Sequence, residues 1–335
     1  MPSRYWAVSV SEPTARIGLR ESLFLRPREA PAIESRLKSL GLVDSVLLSS
    51  CGRFELFSGS GADGLVSALR WFDERAGKAL DGPIQIFKGT EALRHVFRLT
   101  SGLDSRIPGD SRVTELVREA YRRACALGMA GPMTHRVFQR ALHVRTRIRQ
   151  QARITSRFGC FAEAAVEFLL RLSEGKAGEK LIVFGAGRLA EYAALRLGAL
   201  GLPGVLVCGR RAERTRALAA LAGARAAGIE EGLSALPKAR AALFACAADK
   251  PVLVPFEALH ARRGAPLTLI DAGLPRNVDP RMRKSPGVRL YDLDDIYRLV
   301  KGLLGTRPEG TRKAEGIISA EIESFLKGSG REELV

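Results

Sequence analysis

A buried strand that runs into a glycine-rich turn and then a helix limits the possible folds of this chain more than any other feature. Residues 180–184 are mostly apolar, and Gly-x-Gly-x-x-Ala follows directly. Glycines at this spacing permit a tight turn and a close backbone approach, so that a pyrophosphate can lie on the N-terminus of the next helix. We therefore predict a Rossmann domain, and a Rossmann-like domain without a cofactor is the alternative. The predicted dinucleotide-binding residues are Gly185, Ala186, Gly187, Arg188, Leu189 and Ala190.

Two arginines follow the next predicted strand, where a Rossmann fold binds the ribose of its cofactor. That strand covers 205–208, and Arg210 and Arg211 come directly after it. An acidic residue at this place would hydrogen-bond the 2′-hydroxyl of NAD, whereas arginines favour the 2′-phosphate of NADP. The pattern therefore indicates NADPH. Further buried strands over 241–246, 267–271 and 288–291 extend the predicted doubly wound sheet.

A second constellation, near the N-terminus, places a thiol beside a guanidinium. The apolar run 46–48 leads into Ser49-Ser50-Cys51-Gly52-Arg53, after which charged and apolar residues alternate. This pattern predicts a strand, a short turn and a second element. A nearby cation favours the thiolate, which is the nucleophilic form. Cys51 is therefore a candidate nucleophile, although a lone cysteine after an apolar strand is also typical of a buried core position.

Strand-like and helix-like segments alternate over residues 1–90, which predicts a small split α/β module of the ferredoxin-like type. Long helices follow over 113–127 and from 132 to about 154, the second with apolar residues at helical spacing. At the other end of the chain, Asp292-Leu293-Asp294-Asp295 is predicted to cap a final helix from 296 to about 326.

The composition excludes several kinds of site. Five cysteines are widely spread and never in Cys-x-x-Cys spacing, and the four histidines form no ligand cluster. We therefore predict neither a disulfide framework nor a metal site. The N-terminus lacks the apolar stretch of a signal peptide, and no apolar run reaches about 18 residues. A cytoplasmic protein without membrane segments is the expectation.

The chain is strongly basic, with a formal net charge of +17. Residues 136–157 contain seven arginines and no acidic residue. Such a stretch favours a polyanionic partner bound through its phosphates, although an arginine-rich proteome could produce it without a function. Aromatic residues make up only 6% of the chain, which argues against stacking on single strands and favours a structured RNA.

Three motifs in this order resemble glutamyl-tRNA reductase, the first dedicated enzyme of five-carbon tetrapyrrole synthesis. Ser49-Ser50-Cys51-Gly52-Arg53-Phe54-Glu55 is similar to the family's Ser-Thr-Cys-Asn-Arg-Thr-Glu. The segment 95–105, His-Val-Phe-Arg-Leu-Thr-Ser-Gly-Leu-Asp-Ser, is close to the family's His-Leu-Phe-Arg-Val-Ala-Ser-Gly-Leu-Asp-Ser. The glycine turn is the third motif, and the resemblance extends over residues 5 to 326.

The resemblance implies a covalent mechanism. The thiolate of Cys51 would attack the ester carbonyl of glutamyl-tRNA, and NADPH would reduce the resulting thioester to glutamate 1-semialdehyde. His95 would polarise the carbonyl or carry a proton, and Arg53 would hold the substrate carboxylate. An aminomutase that consumes the aldehyde is a candidate partner, and no membrane or DNA contact is expected. The predicted substrate-binding residues are Ser50, Arg53, Ser105, Asp110 and Arg112.

The departures from the family motifs leave two alternatives open. Glu12-Pro13-Thr14 replaces a His-Lys-Thr loop, and Arg112 replaces a glutamine. Gly52 and Phe54 replace a polar pair around the nucleophile. One alternative is a paralogue that acts on another aminoacyl or acyl thioester. The other is a non-catalytic homologue that binds tRNA, haem or a partner.

The predicted fold class is α/β, with four parts along the chain. A ferredoxin-like catalytic domain covers 1–155, and the NADP-binding Rossmann domain covers 156–292. Residues 293–328 begin a long C-terminal spinal helix, and 329–335 form a tail. The C-terminal dimerisation domain usual in the family is expected to be absent, and a hinge between the domains is expected near 155–161.

Overall fold

The computed structural model of the chain describes residues 4–12, 14–77, 83–105, 107–152, 154, 161–173, 180–253, 266–303 and 308–329. These residues form two compact units. The first takes its residues from Met1–Cys160 and Leu304–Val335, and the second from Phe161–Leu303. The hinge expected near 155–161, apart from Phe161, lies outside the described residues, as do 330–335 of the tail.

The first unit is built on a four-stranded sheet with the strand order β2-β3-β1-β4. Every neighbouring pair is antiparallel, and Trp6 at the start of β1 lies opposite Ser58 of β3 and Lys88 of β4. This order is that of the ferredoxin-like module that the alternating segments predict, and the prediction is confirmed. The strands are β1 (Trp6–Ser11), β2 (Ser45–Ser49), β3 (Arg53–Ser58) and β4 (Gln85–Lys88).

Helices cover this sheet, and an aromatic cluster fills the space between them. Phe57 packs edge-on against Phe138 at 5.6 Å between ring centroids, and Phe54 packs against Phe72 at 5.3 Å. The alternating residues of β3 point to opposite faces of the sheet, so these two contacts secure helices on both faces. The helices are α1 (Ile17–Leu23), α2 (Ala30–Ser39), α3 (Gly61–Ala76), α4 (Thr90–Thr100), α5 (Ser111–Ala126) and α6 (Pro132–Gln151).

The second unit is a six-stranded parallel sheet with the order β10-β9-β8-β5-β6-β7. The order reverses at β5, as in a doubly wound dinucleotide-binding fold, and the predicted Rossmann fold is confirmed. In chain order, the unit contains α7 (Phe161–Ser173), β5 (Lys180–Phe184), α8 (Arg188–Ala199), β6 (Leu206–Cys208), α9 (Ala212–Leu221), β7 (Arg225–Ala227), α10 (Ile229–Ala235), β8 (Ala239–Phe244), β9 (Leu267–Asp271), β10 (Val288–Tyr291) and α11 (Leu293–Leu303).

The last predicted helix, 296 to about 326, corresponds to two helices that belong to different units. After α11, α12 (Pro308–Ser329) belongs to the first unit and packs on α4 and α6. Proline is tolerated at the start of a helix but not in its interior, so Pro308 marks the beginning of a new helix. The predicted cap is correct: Asp292 Oδ1 accepts hydrogen bonds from the backbone N–H groups of Asp294 and Asp295.

Within the described ranges, no helix combines the length and the apolar character needed to cross a membrane. The same residues contain no group of three His, Cys, Asp or Glu side chains that could hold a metal ion.

Candidate active site

Cys51 lies in the tight turn that joins β2 to β3. The backbone N–H of Ser50 donates to the carbonyl of Arg53 at 2.8 Å, which places Cys51 and Gly52 at the centre of the turn. The carbonyl of Gly52 accepts a hydrogen bond from the N–H of Glu12 at 3.0 Å. The thiol is half-buried. The predicted strand and turn around this cysteine are therefore present, and the end of β1 supports the turn from one side.

A buried arginine holds the same turn from the other side. Arg20 on α1 is only 1% exposed, and its Nη1 donates to the carbonyl oxygen of Cys51 at 2.8 Å. Its Nε donates to the carbonyl of Ala15 at 3.3 Å. Sequence reasoning does not single out Arg20, because arginine on a short helix is usually exposed. The contact holds the backbone of the candidate nucleophile.

The charged side chains next to the turn form one buried network. Glu55 is fully buried, and its two oxygens accept from Arg53 Nη1 at 3.0 Å and from His95 Nε2 at 2.6 Å. The other ring nitrogen of His95, Nδ1, lies 3.6 Å from Asp104 Oδ2. Arg53 Nη2 donates to the backbone carbonyl of Asp104 at 2.9 Å. The rings of His95 and Phe87 stack at 4.2 Å between centroids, so the imidazole is held at its edges and on one face.

This arrangement favours the charged form of both central groups. Burial alone would lower the pKa of His95, but the charge of Glu55, the nearby Asp104 carboxylate and the hydrogen bond to Glu55 raise it to about 9. Burial alone would raise the pKa of Glu55, but the His95 and Arg53 charges and their hydrogen bonds hold it below its usual value. At neutral pH His95 is therefore an imidazolium ion between two carboxylates.

A cavity of about 600 Å³ opens beside this network. Three predicted site residues, Arg53, His95 and Ser105, line it together with Glu12, Arg94 and others. Cys51 and Ser50 are not among the lining residues. Their turn is hydrogen-bonded to Glu12 and leads into Arg53, and both of these residues line the cavity. The structure therefore gathers part of the predicted substrate site around one opening.

The remaining predicted substrate residues lie at the start of α5. Asp110 Oδ1 accepts from the N–H of Arg112 at 2.8 Å, so it is the N-cap of the helix. Burial raises the pKa of Asp110, against the opposing effect of Arg112. The side chain of Arg112 is 43% exposed and pairs with Glu115 at 4.0 Å. Neither residue lines the cavity, so their roles in substrate binding stay predictions.

The glycine turn of the second unit shapes a smaller cavity of about 270 Å³. Gly185 has φ +123°, and a Cβ there would lie 2.4 Å from the carbonyl oxygen of Ala245. A Cβ at Gly187 would meet nothing within 4 Å. Packing of the turn thus requires glycine at the first position, whereas the second position leaves open space that a ligand can occupy. Such a cradle at the N-terminus of α8 fits a pyrophosphate.

Three arginines line the far side of this cavity. Arg210 and Arg211 are there as predicted, and Arg214 joins them from the first turn of α9. Arg214 lies three residues after Arg211, which is the helical spacing that could have indicated it. Arg188, Leu189 and Ala190 form the first turn of α8 and do not line the cavity. Ala190 is fully buried and packs behind Gly185.

Comparisons with known proteins agree along the whole chain. Residues 8–152 match the family profile "Glutamyl-tRNAGlu reductase, N-terminal domain", and 169–299 match "Shikimate / quinate 5-dehydrogenase". Glutamyl-tRNA reductase of Moorella thermoacetica is 33% identical over 97% of this chain and 76% of its own length. The Deinococcus radiodurans enzyme of the same name is 33% identical over 95% of this chain and 90% of its own length.

A solved structure agrees with these sequence matches. Glutamyl-tRNA reductase from Methanopyrus kandleri aligns with a TM-score of 0.52 at 27% identity, and the alignment covers 98% of this chain and 81% of that protein. The cysteine turn with its charged network, the glycine cradle and the relatives that align over 95% or more of this chain therefore lead to one assignment. The chain belongs to the glutamyl-tRNA reductase family.

Proposed function

We propose that this chain reduces the glutamyl group of glutamyl-tRNA to glutamate 1-semialdehyde with NADPH, a step of tetrapyrrole biosynthesis. One observation carries the proposal: Cys51 occupies a hydrogen-bonded turn that leads directly into Arg53, which lines a cavity together with His95. A fixed thiol beside a charged, enclosed site suits the capture of an acyl group. Because aminoacylated tRNA is made in the cytoplasm, we place the activity there.

In the first step, the thiolate of Cys51 attacks the carbonyl carbon of the aminoacyl ester. A carbon–sulfur bond forms, and the ester carbon–oxygen bond breaks as the tRNA leaves with its terminal oxygen. Arg20 and Glu12 hold the turn through the carbonyls of Cys51 and Gly52, which keeps the attacking atom in place. Such prior positioning removes the entropy cost of aligning the reactants.

His95 acts as a hydrogen-bond donor and an electrostatic stabiliser in this scheme. An imidazolium with a pKa of about 9 has no lone pair to accept a proton at neutral pH. Its Nε2 is engaged by Glu55 at 2.6 Å, whereas the contact between Nδ1 and Asp104 is long at 3.6 Å. Nδ1 is therefore the atom that could polarise a substrate carbonyl, and we propose it for that role.

The second unit holds the cofactor in this scheme. When bound, NADPH supplies the hydride that reduces the thioester to an aldehyde and frees the thiolate. The backbone at Gly185–Gly187 would bind the pyrophosphate, and Arg210, Arg211 and Arg214 would bind the 2′-phosphate. The product is a reactive aldehyde, so we propose an aminomutase that consumes it as a partner.

Incubation of the purified chain with glutamyl-tRNA and NADPH tests the proposal. We expect tRNA-dependent NADPH oxidation with aldehyde formation. Cys51→Ser should abolish both, while the exposed Cys125→Ser should retain them. Loss of the glutamyl group from the tRNA without oxidation of NADPH would mean that the chain captures the acyl group but does not reduce it. Binding of tRNA without turnover would contradict the proposal and favour a non-catalytic homologue.

The preference for NADPH over NADH tests the role of the arginines separately. Replacing Arg210 and Arg211 together with glutamine should raise KM for NADPH by about 10- to 100-fold, because charge-assisted hydrogen bonds to a phosphate are lost. KM for NADH should change little. Equal losses for both cofactors would contradict a 2′-phosphate site.

A further inference from the structure

The C-terminal helix α12 reaches the cavity of the first unit through one acidic residue. Ile318, Ile322 and Phe325 of α12 are buried in the core of that unit. One turn before them, Glu315 forms ion pairs with Arg94 Nη1 at 3.4 Å and with Arg98 Nη1. Both arginines belong to α4 and line the cavity. A residue more than 200 positions away in the sequence thus meets the wall of the candidate active site.

Arg98 transmits this contact to the site because it lies between two carboxylates. On the side away from Glu315, its Nε and Nη2 donate to Asp104 Oδ1 at 2.9 and 2.7 Å. The other oxygen of Asp104 faces His95 Nδ1 at 3.6 Å. The Arg98 guanidinium has partners on both of its edges and therefore keeps one rotamer. The Asp104 carboxylate, whose Oδ1 accepts from two of its nitrogens, is oriented with it.

We propose that Glu315 is a positioning residue of the catalytic cavity, which sets Arg98 and, through it, the Asp104 carboxylate that faces His95. The assignment of this cavity as the acyl site rests on the function proposed above. Other charges facing His95 or the cavity come from β3 (Glu55 and Arg53), from α4 (Glu91 and Arg94) and from Glu12 after β1. Of the two carboxylates that flank the imidazole, Asp104 is the one that Arg98 holds.

A second acidic residue on α12 serves as a matched control. Glu321 is buried and pairs with Arg140 Nε at 2.6 Å and with Arg147, both on α6. Neither of these arginines lines the cavity. Glu315→Gln and Glu321→Gln therefore each remove one acidic anchor of α12, but only the first reaches Arg98. Glu323 is exposed on the same helix, so Glu323→Gln is the control for the loss of one negative charge from α12.

The test compares the three variants in the full chain by imidazole NMR and by steady-state kinetics. The chain has four histidines, and loss of a signal in His95→Asn identifies the one that matters. In Glu315→Gln we expect the titration midpoint of His95 to fall by about one pH unit, because a neighbouring carboxylate is no longer held in place. kcat should fall about 10- to 100-fold with a smaller change in KM. Glu321→Gln should leave the His95 midpoint and kcat unchanged.

Retention of both the His95 midpoint and kcat in Glu315→Gln would overturn the proposal, as would an equal shift in Glu321→Gln. Should Glu315→Gln not fold, Glu315→Asp takes its place: the charge remains but its reach is shorter, and an intermediate shift is expected. The midpoint is measured without substrate. An inactive wild-type chain would therefore refute the proposed function while the NMR comparison still decides the role of Glu315.

Discussion

At the scale of single residues, the site depends on a charged histidine held between buried carboxylates. Glu55 has no exposure to solvent and relies on Arg53 and His95 for its partners. An unpaired buried charge would cost several kcal/mol. Removal of Arg53 or His95 should therefore destabilise the fold by leaving Glu55 without a partner for its charge. The arrangement makes the first unit sensitive to the protonation of His95.

The pH dependence of stability follows from the sign of the His95 shift. Its folded pKa, about 9, lies above the usual 6.5. The ion pair therefore contributes fully below about pH 6.5, and its contribution is lost as the pH rises through about 9. The free energy of unfolding should fall by up to about 3 kcal/mol between these values.

Denaturant unfolding followed by tryptophan fluorescence measures this change in the first unit, which contains His95. Both tryptophans, Trp6 and Trp71, are buried in the first unit. His95→Asn should be destabilised at pH 6.5 and should show a flatter pH dependence than the wild type. The exposed His143→Asn should keep the wild-type profile. If the free energy of unfolding of His95→Asn still fell steeply with pH, the pH dependence would come from another group.

The sequence predicts some of these residues and misses others for a physical reason. Arg53, His95 and Ser105 belong to local motifs, and the structure places all three around one cavity. Arg20 and Glu315 belong to no motif. Their partners are distant in sequence, and a charged residue on a helix is by default expected at the surface. Only the fold shows that these two charges point inward.

At the scale of elements, the glycine turn between β5 and α8 separates a packing role from a binding role. Gly185→Ala would force a methyl group against the carbonyl of Ala245 at a backbone angle that disfavours alanine. It should destabilise the second unit by about 2 kcal/mol or more and abolish cofactor binding. Gly187→Ala should fold normally, because its methyl group meets open space, but should weaken NADPH binding about tenfold or more by blocking the pyrophosphate.

Thermal unfolding and NADPH titration of the two alanine variants check this contrast. The decisive result is the difference between them: Gly185→Ala should lose both stability and NADPH binding, and Gly187→Ala should lose NADPH binding alone. Normal NADPH binding by Gly187→Ala would contradict the position given to the pyrophosphate.

The elements themselves follow from the sequence to different degrees. Buried strands such as β5 and β9 are predictable because short runs of apolar residues that include β-branched ones are typical of buried parallel strands. β7 is not, since Arg225-Ala226-Ala227 is a three-residue edge strand without an apolar run. The division between α11 and α12 is also missed. Apolar residues at helical spacing occur on both sides of the division, and Pro308 marks the beginning of the second helix.

At the scale of the whole molecule, two sets of arginines on and beside α6 have different surroundings. Arg140 and Arg147 pair with Glu321, so α12 neutralises part of their charge. Arg145 instead lies near Arg149 and Arg118. Partial burial and these two neighbouring charges lower its pKa. Like charges that remain together on a surface are typical of a site for a polyanion.

We expect this second set to contact the phosphates of the tRNA. Changing Arg118, Arg145 and Arg149 together to glutamine should weaken tRNA binding at least tenfold and reduce its dependence on salt by about one unit of slope per lost contact. Arg216→Gln, at an exposed position on α9, is the control. Binding curves at several salt concentrations measure both quantities. An unchanged slope in the triple variant would place the RNA on another face.

The central claim is that Cys51 carries the acyl group, and trapping that intermediate tests it most directly. The chain is incubated with glutamyl-tRNA without NADPH, quenched in acid and examined by mass spectrometry of its peptides. The account predicts one glutamyl group on the peptide that contains Cys51, released by hydroxylamine, present in Cys125→Ser and absent from Cys51→Ser. A glutamyl group on another residue, or one that persists in Cys51→Ser, would contradict it.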